Sequence, residues 1–175
     1  MKVIVVVFSI ACSFLIISCD NSKTDQTSAV KNESQTELKI SAKAIEGFKY
    51  DDYALSNEGQ DLVNGWEKYQ ELSIQINYLK KADLSFFNSD KKLLTDFISD
   101  LNENVPERLQ TNSITSRVLI VETKLLKLNE NLTISNITTE TKLSSIKEVL
   151  VAFSNLIFQI NWKLEFDVYN KIEAE

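Results

Sequence analysis

Histidine is absent from this 175-residue chain, and cysteine, glycine and proline are scarce. Without histidine the chain lacks the side chain that most often transfers protons near neutral pH and the commonest transition-metal ligand. Haem attachment through a CxxCH motif and di-iron sites built on ExxH pairs both need histidine, so the sequence excludes them. The chain also contains no GxSxG motif, so the sequence does not indicate a hydrolase.

Cysteine occurs twice, at Cys12 and Cys19, so disulfides and cysteine metal sites are excluded from the rest of the chain. The three glycines and the single proline, Pro106, leave long stretches without residues that interrupt helices. An apolar fraction of 43% with 25% charged residues is typical of a globular chain. The scarcity of glycine and proline, together with the helical spacing of apolar residues described below, predicts an all-α domain.

Residues 1–18 have the pattern of an export signal. Lys2 gives a short positive start, and residues 3–17 are almost all apolar but too few to span a bilayer comfortably as a permanent anchor. An ordinary secretory signal or a short transmembrane helix that happens to contain a cysteine is the alternative to the lipoprotein signal described next.

The end of this segment, Ile16-Ile17-Ser18-Cys19, resembles the lipobox of bacterial lipoproteins at all four positions. The resemblance implies that the Cys19 thiol receives a diacylglycerol, that the chain is cut before it, and that the new amino terminus is acylated. It therefore implies a membrane partner through Cys19 and a place in the cell envelope, on the periplasmic or surface side of a bacterial membrane. The Asn- and Lys-rich residues that follow are similar to lipoproteins of the Bacteroidetes group.

Residues 19–46 are mostly polar, cannot bury enough surface to fold, and are predicted to form a disordered tether. Leu38-Lys39-Ile40 could start a short helix there. The helical domain is predicted to cover residues 47–175.

Apolar residues recur at helical spacing in four segments of that domain. The first segment, Glu58 to Lys81, carries one apolar stripe: Leu62, Trp66, Tyr69, Leu72, Ile76 and Leu79. The second follows possible caps at Asn88-Ser89-Asp90 and runs to about Glu103, with these side chains inward: Leu93, Leu94, Phe97 and Leu101.

The third segment begins at a predicted cap, Asn112-Ser113, and the fourth near Thr138. The third carries Ile114, Val118, Val121, Leu125, Leu128 and Leu132, and the fourth carries Leu143, Ile146, Leu150, Phe153, Ile157, Ile160 and Leu164. Regular seams joined by short polar connections predict an antiparallel up-down four-helix bundle.

Charged residues give no sign of a catalytic or metal site. The net charge of −6 disfavours nucleic acid as a partner. The acidic clusters Asp51-Asp52 and Asp96/Asp100/Glu103 lack the shaped, glycine-containing loop that Ca²⁺ needs, so we interpret them as solvated surface. Ser144 and Lys147 form a Ser-x-x-Lys spacing that is expected by chance in a chain so rich in both residues. No catalytic residue, metal or cofactor is predicted.

The fourth segment has a second apolar side, formed by Phe158, Trp162, Phe166 and Tyr169. This side is either a surface for a partner or ligand or a buried face of a central helix, and the sequence favours burial because helices that are apolar all round are usually buried. The predicted function is a lipid-anchored, non-enzymatic envelope protein that acts by protein contact or as a structural accessory. The alternative is a binding module that holds an apolar or amphipathic ligand between its helices. The oligomeric state stays open.

Overall fold

A computed structural model describes residues 39–173, and the regular structure in that range is entirely helical. The all-α prediction is confirmed for this part of the chain. The six α-helices of the described range and one 3₁₀ turn are α1 (Ala42–Glu46), α2 (Asn57–Val63), α3 (Glu67–Lys80), α4 (Lys91–Glu103), the turn Glu107–Leu109, α5 (Asn112–Thr133) and α6 (Thr139–Glu173). The predicted signal segment, Cys19 and most of the predicted tether lie outside the described residues.

Side-chain caps start α4 and α5 close to the predicted positions. The Asp90 carboxylate accepts hydrogen bonds from the backbone N–H groups of Lys92 and Leu93, and α4 begins directly after it. The cap of α5 is Thr111, whose Oγ1 accepts from Ile114 N at 3.3 Å, so this helix begins slightly before the predicted Asn112-Ser113 cap.

The prediction of one helix from Glu58 to Lys81 is wrong, because the helix is interrupted between α2 and α3. Trp66, at the break, has φ −97° and ψ 77°, outside the helical region. Its indole is fully buried, and Nε1 donates a hydrogen bond to Leu101 O at 2.9 Å. Gly65 lies directly before it, and glycine lowers the cost of leaving the helix. The break gives the indole a carbonyl partner on α4.

The packed part of the chain begins before Gly47, the predicted domain boundary. Ser41 caps α1 by accepting from Ala44 N at 3.3 Å, and Ile45 is only 3% exposed and belongs to the core. Ile40 and Ile45 both pack into the core, so this short segment is docked although its overall composition is polar.

The core lies between helices that follow one another along the chain. α3 packs on α4, α4 on α5, and α5 on α6, whereas α1 and α2 also contact α6. Tyr69 of α3 stacks between Trp66 and Phe153 of α6, with ring centroids 5.1 and 5.5 Å apart. Most of the predicted inward stripes are buried.

Leu93 is the clearest exception among the predicted core residues. It is 64% exposed, since Leu94, Ile98 and Leu101 already fill the inner side of α4. A helix carries more apolar residues than one face can bury, so the sequence pattern alone does not decide which one is left outside.

In the described range one helix, Thr139–Ile172, is long and apolar enough to cross a membrane by length and composition. In its most apolar window 61% is buried inside the fold. The core helix of a globular domain has the same properties, and α6 packs in that way.

Candidate functional site: an exposed aromatic face

The long helix α6 has a buried side and an exposed aromatic side. Its inner seam, from Leu143 to Leu164, is buried against the other helices. With 100° of rotation per residue, Phe158, Trp162 and Tyr169 lie on the opposite side of the helix, with Phe166 at its edge. We call these four residues the aromatic face.

The structure contradicts the expectation that this face is buried. Phe158 is 44% exposed, Trp162 50%, Phe166 46% and Tyr169 57%. The helices that contact α6 bury its inner side, and the side that carries these four residues is left accessible. These four side chains are therefore accessible to a partner or ligand, as that interpretation requires.

The aromatic face is ordered by contacts between its own rings. Trp162 and Phe166 stack with centroids 5.4 Å apart and planes 7° apart. Tyr53, which precedes α2, lies with its ring 5.0 Å from Phe158 and is itself 39% exposed. Tyr53 thus extends the face. No local sequence pattern predicts this contact, because it spans 105 positions.

Residues 51–56, which we call the strap, hold Tyr53 in place along one flank of α6. Ser154 Oγ accepts from Tyr53 N at 2.9 Å and donates to Asp51 O. Two turns further on, Asn161 donates to Ala54 O at 2.8 Å and accepts from Ser56 N at 2.9 Å. Ser154 and Asn161 lie seven residues apart and so on the same flank of the helix.

Ion pairs fix the part of α6 that carries the aromatic face. Lys163 Nζ lies 2.6 Å from Asp167 Oδ1, and Arg108 bridges Asp167 at 3.7 Å and Glu58 at 3.0 Å. The hydrogen bond from Lys163 is the main reason that the pKa of Asp167 lies below its ordinary value. These contacts link α6 to α2 and to the 3₁₀ turn.

A half-open pocket of about 450 Å³ lies on the other side of the strap. Its walls include Tyr53, Tyr69, Phe153 and Lys80. Burial raises the pKa of Tyr69 well above its ordinary value, so its ring carries no charge at neutral pH. The pocket opens at the surface, and its walls come from the strap and from three helices, α2, α3 and α6.

The acidic clusters are engaged with neighbouring side chains. Asp96 pairs with Lys92 at 2.6 Å, Glu103 accepts from Ser99 at 3.1 Å, and Asp52 pairs with Lys80 at 2.7 Å. Asp52 and burial together raise the pKa of the neighbouring Tyr50 to about 12, with burial as the larger cause. Within residues 39–173 no group of three or more acidic or cysteine side chains is placed to hold a metal ion.

No protein-family model matches this chain, and no curated protein or solved structure does so either.

Proposed function

We propose that this chain is a lipid-anchored, non-enzymatic protein of the bacterial cell envelope whose helical domain acts by protein contact. The observation that carries the contact is the aromatic face. Trp, Phe and Tyr supply large contact areas, and exposed clusters of such residues mark interaction sites more often than single apolar side chains do. Because Trp162 and Phe166 already stack on each other, a partner would meet a surface that needs little ordering.

The anchor is proposed from the sequence Ile16-Ile17-Ser18-Cys19 and the apolar segment before it. Lipidated Cys19 would hold the domain at the membrane, since several acyl chains at roughly 0.8 kcal/mol per buried CH₂ bind far more firmly than one chain. The polar residues after Cys19 would act as the tether that separates the domain from the lipid surface.

We further propose that α3, α4, α5 and α6 form the predicted antiparallel up-down four-helix bundle. Each of these helices packs on the next along the chain, as up-down connectivity requires. The stacking of Tyr69 on Phe153 brings α3 to α6 and supports a closed ring of four. In this arrangement α1, α2 and the strap are additions on the outside of the bundle.

Replacement of Cys19 tests the anchor. Cys19→Ser removes the thiol to which the diacylglycerol would be attached, so the precursor should stay uncleaved and incorporate no labelled palmitate. Cys12→Ser is the matched control, because it changes a cysteine within the signal and should leave both processing and labelling intact. Palmitate labelling that persists in the Cys19→Ser variant would contradict the anchor.

Truncation of the aromatic face tests the contact. In full-length protein crosslinked in its native envelope, the double variant Trp162→Ala/Phe166→Ala should lower the yield of crosslinked complexes at least about tenfold, as expected for interface anchors. Leu119→Ala is the matched control, since Leu119 is 58% exposed on α5, outside the face. The thermal unfolding of both variants should stay close to that of the parent.

Two results would contradict the proposed contact. Complexes that form equally well in the double variant would show that another surface is used. A loss of stability near the 3–5 kcal/mol typical of buried aromatic truncations would show that the face is covered within the monomer.

A further inference from the structure

Three residues of the aromatic face, Phe158, Trp162 and Tyr169, belong to a longer seam on the outside of α6. Val151, Asn155, Phe158, Trp162, Glu165 and Tyr169 follow one another at spacings of four, three, four, three and four. This is the heptad spacing by which one helix packs along another. Val151 is half-buried and the other five are exposed, so a second helix could reach the whole line, which we call the outer seam.

The outer seam is symmetric about Ile160 in the type of side chain as well as in position. Phe158 and Trp162, both aromatic, lie two residues to either side of Ile160. Asn155 and Glu165, the two polar positions of the seam, lie five residues to either side. Val151 and Tyr169, both apolar enough to pack, lie nine residues to either side.

We propose that a second copy of this chain docks antiparallel on the outer seam, so that two α6 helices pair around a two-fold axis near Ile160. In this register Trp162 packs on Phe158 of the other copy, and the Asn155 amide can donate to the Glu165 carboxylate of the other copy. A seam with the same types at mirrored positions is what an isologous two-fold interface requires. The inference rests on the proposed function, in that the aromatic face is a protein contact.

Charge also favours a second copy in this orientation. A parallel pair would place Glu165 against Glu165, and like charges at a desolvated seam position repel. Gln159 and Asn161, which flank the seam at its centre, and Val168, which flanks it near one end, are uncharged. Two acidic copies can therefore meet at these positions without repulsion between like charges. The same positions carry no charge that would select a basic or an acidic helix of another protein.

The exposed area fits a weak dimer. The aromatic face and Tyr53 comprise five aromatic side chains of about 150–250 Å² each, roughly half exposed, which gives on the order of 500 Å² per copy. Specific interfaces at the small end bury about 600 Å² per partner. Interfaces of this small size are typical of transient complexes, so we expect a concentration-dependent dimer with a Kd on the order of micromolar rather than a permanent one.

Sedimentation equilibrium of the full-length protein in density-matched detergent tests this proposal. The parent protein should dimerise, Trp162→Ala should raise the Kd at least about tenfold, and Leu119→Ala should leave it unchanged. Substitutions at Asn155, which is exposed in the monomer, report the register. Asn155→Lys should lower the Kd and Asn155→Asp should raise it, each by about tenfold, because residue 155 faces Glu165 twice in the symmetric pair.

Each other outcome overturns the proposal. A parent protein that stays monomeric up to about 100 µM, well above the expected Kd, rules out the dimer. If Trp162-dependent crosslinking to an envelope protein persists in that case, the proposed function stands with a different partner. If the Kd of the dimer is unchanged by Trp162→Ala, the dimer forms through another surface. A dimer that is weakened by Asn155→Lys and by Asn155→Asp alike has a different register.

Discussion

Asn129 joins α5 to the turn that precedes α4. Its side chain is 2% exposed, and Nδ2 donates to the backbone carbonyls of Phe87 and Ser89 at 3.0 and 2.9 Å. Two carbonyl groups near the Asp90 cap therefore depend on one amide. Buried polar groups are stable only when they are paired, so this residue specifies how the turn docks on α5.

Asn129→Asp should be strongly destabilising although it preserves the shape of the side chain. The carboxylate would face two carbonyl oxygens and could donate to neither, which should lower the free energy of unfolding by about 3 kcal/mol at pH 7. Burial among acceptors should raise the pKa of the new carboxyl in the folded state, so its protonated form is the better tolerated one. The loss should therefore grow as pH rises from about 4 to 7.

Urea denaturation of the variant and its parent at both pH values measures this difference. Asn136→Asp is the matched control, because Asn136 is exposed in the connection between α5 and α6. An Asn129→Asp variant as stable as its parent at pH 7 would show that the two hydrogen bonds contribute little.

Residue types were easier to predict from the sequence than residue environments. Trp66 and Trp162 both lie on apolar stripes of helical spacing, yet Trp66 is fully buried and Trp162 is half exposed. Periodicity identifies which residues share a face, but it does not say which of two apolar faces on α6 meets the core. That choice depends on which other helices reach α6, and it is decided by contacts between distant parts of the chain.

The strap is the element that connects the first part of the described chain to α6. Its hydrogen bonds to Ser154 and Asn161 hold four backbone groups in place, and the same segment positions Tyr53 beside Phe158. Ser154 is 2% exposed, whereas the bonds of Asn161 are accessible to water. The two anchors should therefore differ in strength.

Ser154→Ala should cost more stability than Asn161→Ala. Loss of the buried hydroxyl leaves Tyr53 N and Asp51 O without their partner, at about 1–3 kcal/mol, whereas water can replace Asn161 at about 0.5–1 kcal/mol. Amide hydrogen exchange at Tyr53 should accelerate in the Ser154→Ala variant. Ser144→Ala, at an exposed position of the same helix, is the control and should change neither quantity.

If both anchor variants were as stable as Ser144→Ala, the strap would not contribute to the fold. Exchange at Tyr53 that is unchanged by Ser154→Ala would separately contradict the assigned hydrogen bond.

Among the elements, α5 and α6 were predicted closely, since each begins within one or two residues of the predicted position. A regular apolar stripe was not sufficient by itself, because the first segment carried one from Leu62 to Leu79 and is still divided into two helices. The break at Trp66 was not predicted, and α1 begins at Ala42, just after the Leu38-Lys39-Ile40 segment at which a short helix was considered. A five-residue helix carries too little periodicity to detect, and the break depends on the contact of Trp66 with Leu101 on another helix.

For the whole molecule, the residues of the candidate site could be identified from the sequence, but their exposure to solvent could not. Phe158, Trp162, Phe166 and Tyr169 were found from their spacing on α6, and their exposure came only with the fold. Tyr53 and the strap escaped detection because no sequence signal links residues more than a hundred positions apart. Cys19 lies outside the described residues, so its lipidation stays a prediction.

The long sequence separation of the strap contacts also predicts the order in which parts of the molecule fold. The α5–α6 pair joins through a turn at residues 134–138, and such short closures take on the order of 10–100 ns, whereas the strap must find anchors 101 to 107 positions away. The strap should therefore dock after the rate-limiting barrier to folding, when the helices are already assembled. In stopped-flow experiments Ser154→Ala should then speed unfolding and leave the refolding rate unchanged. The strap would thus lengthen the lifetime of the folded state without contributing to the rate at which the helices assemble.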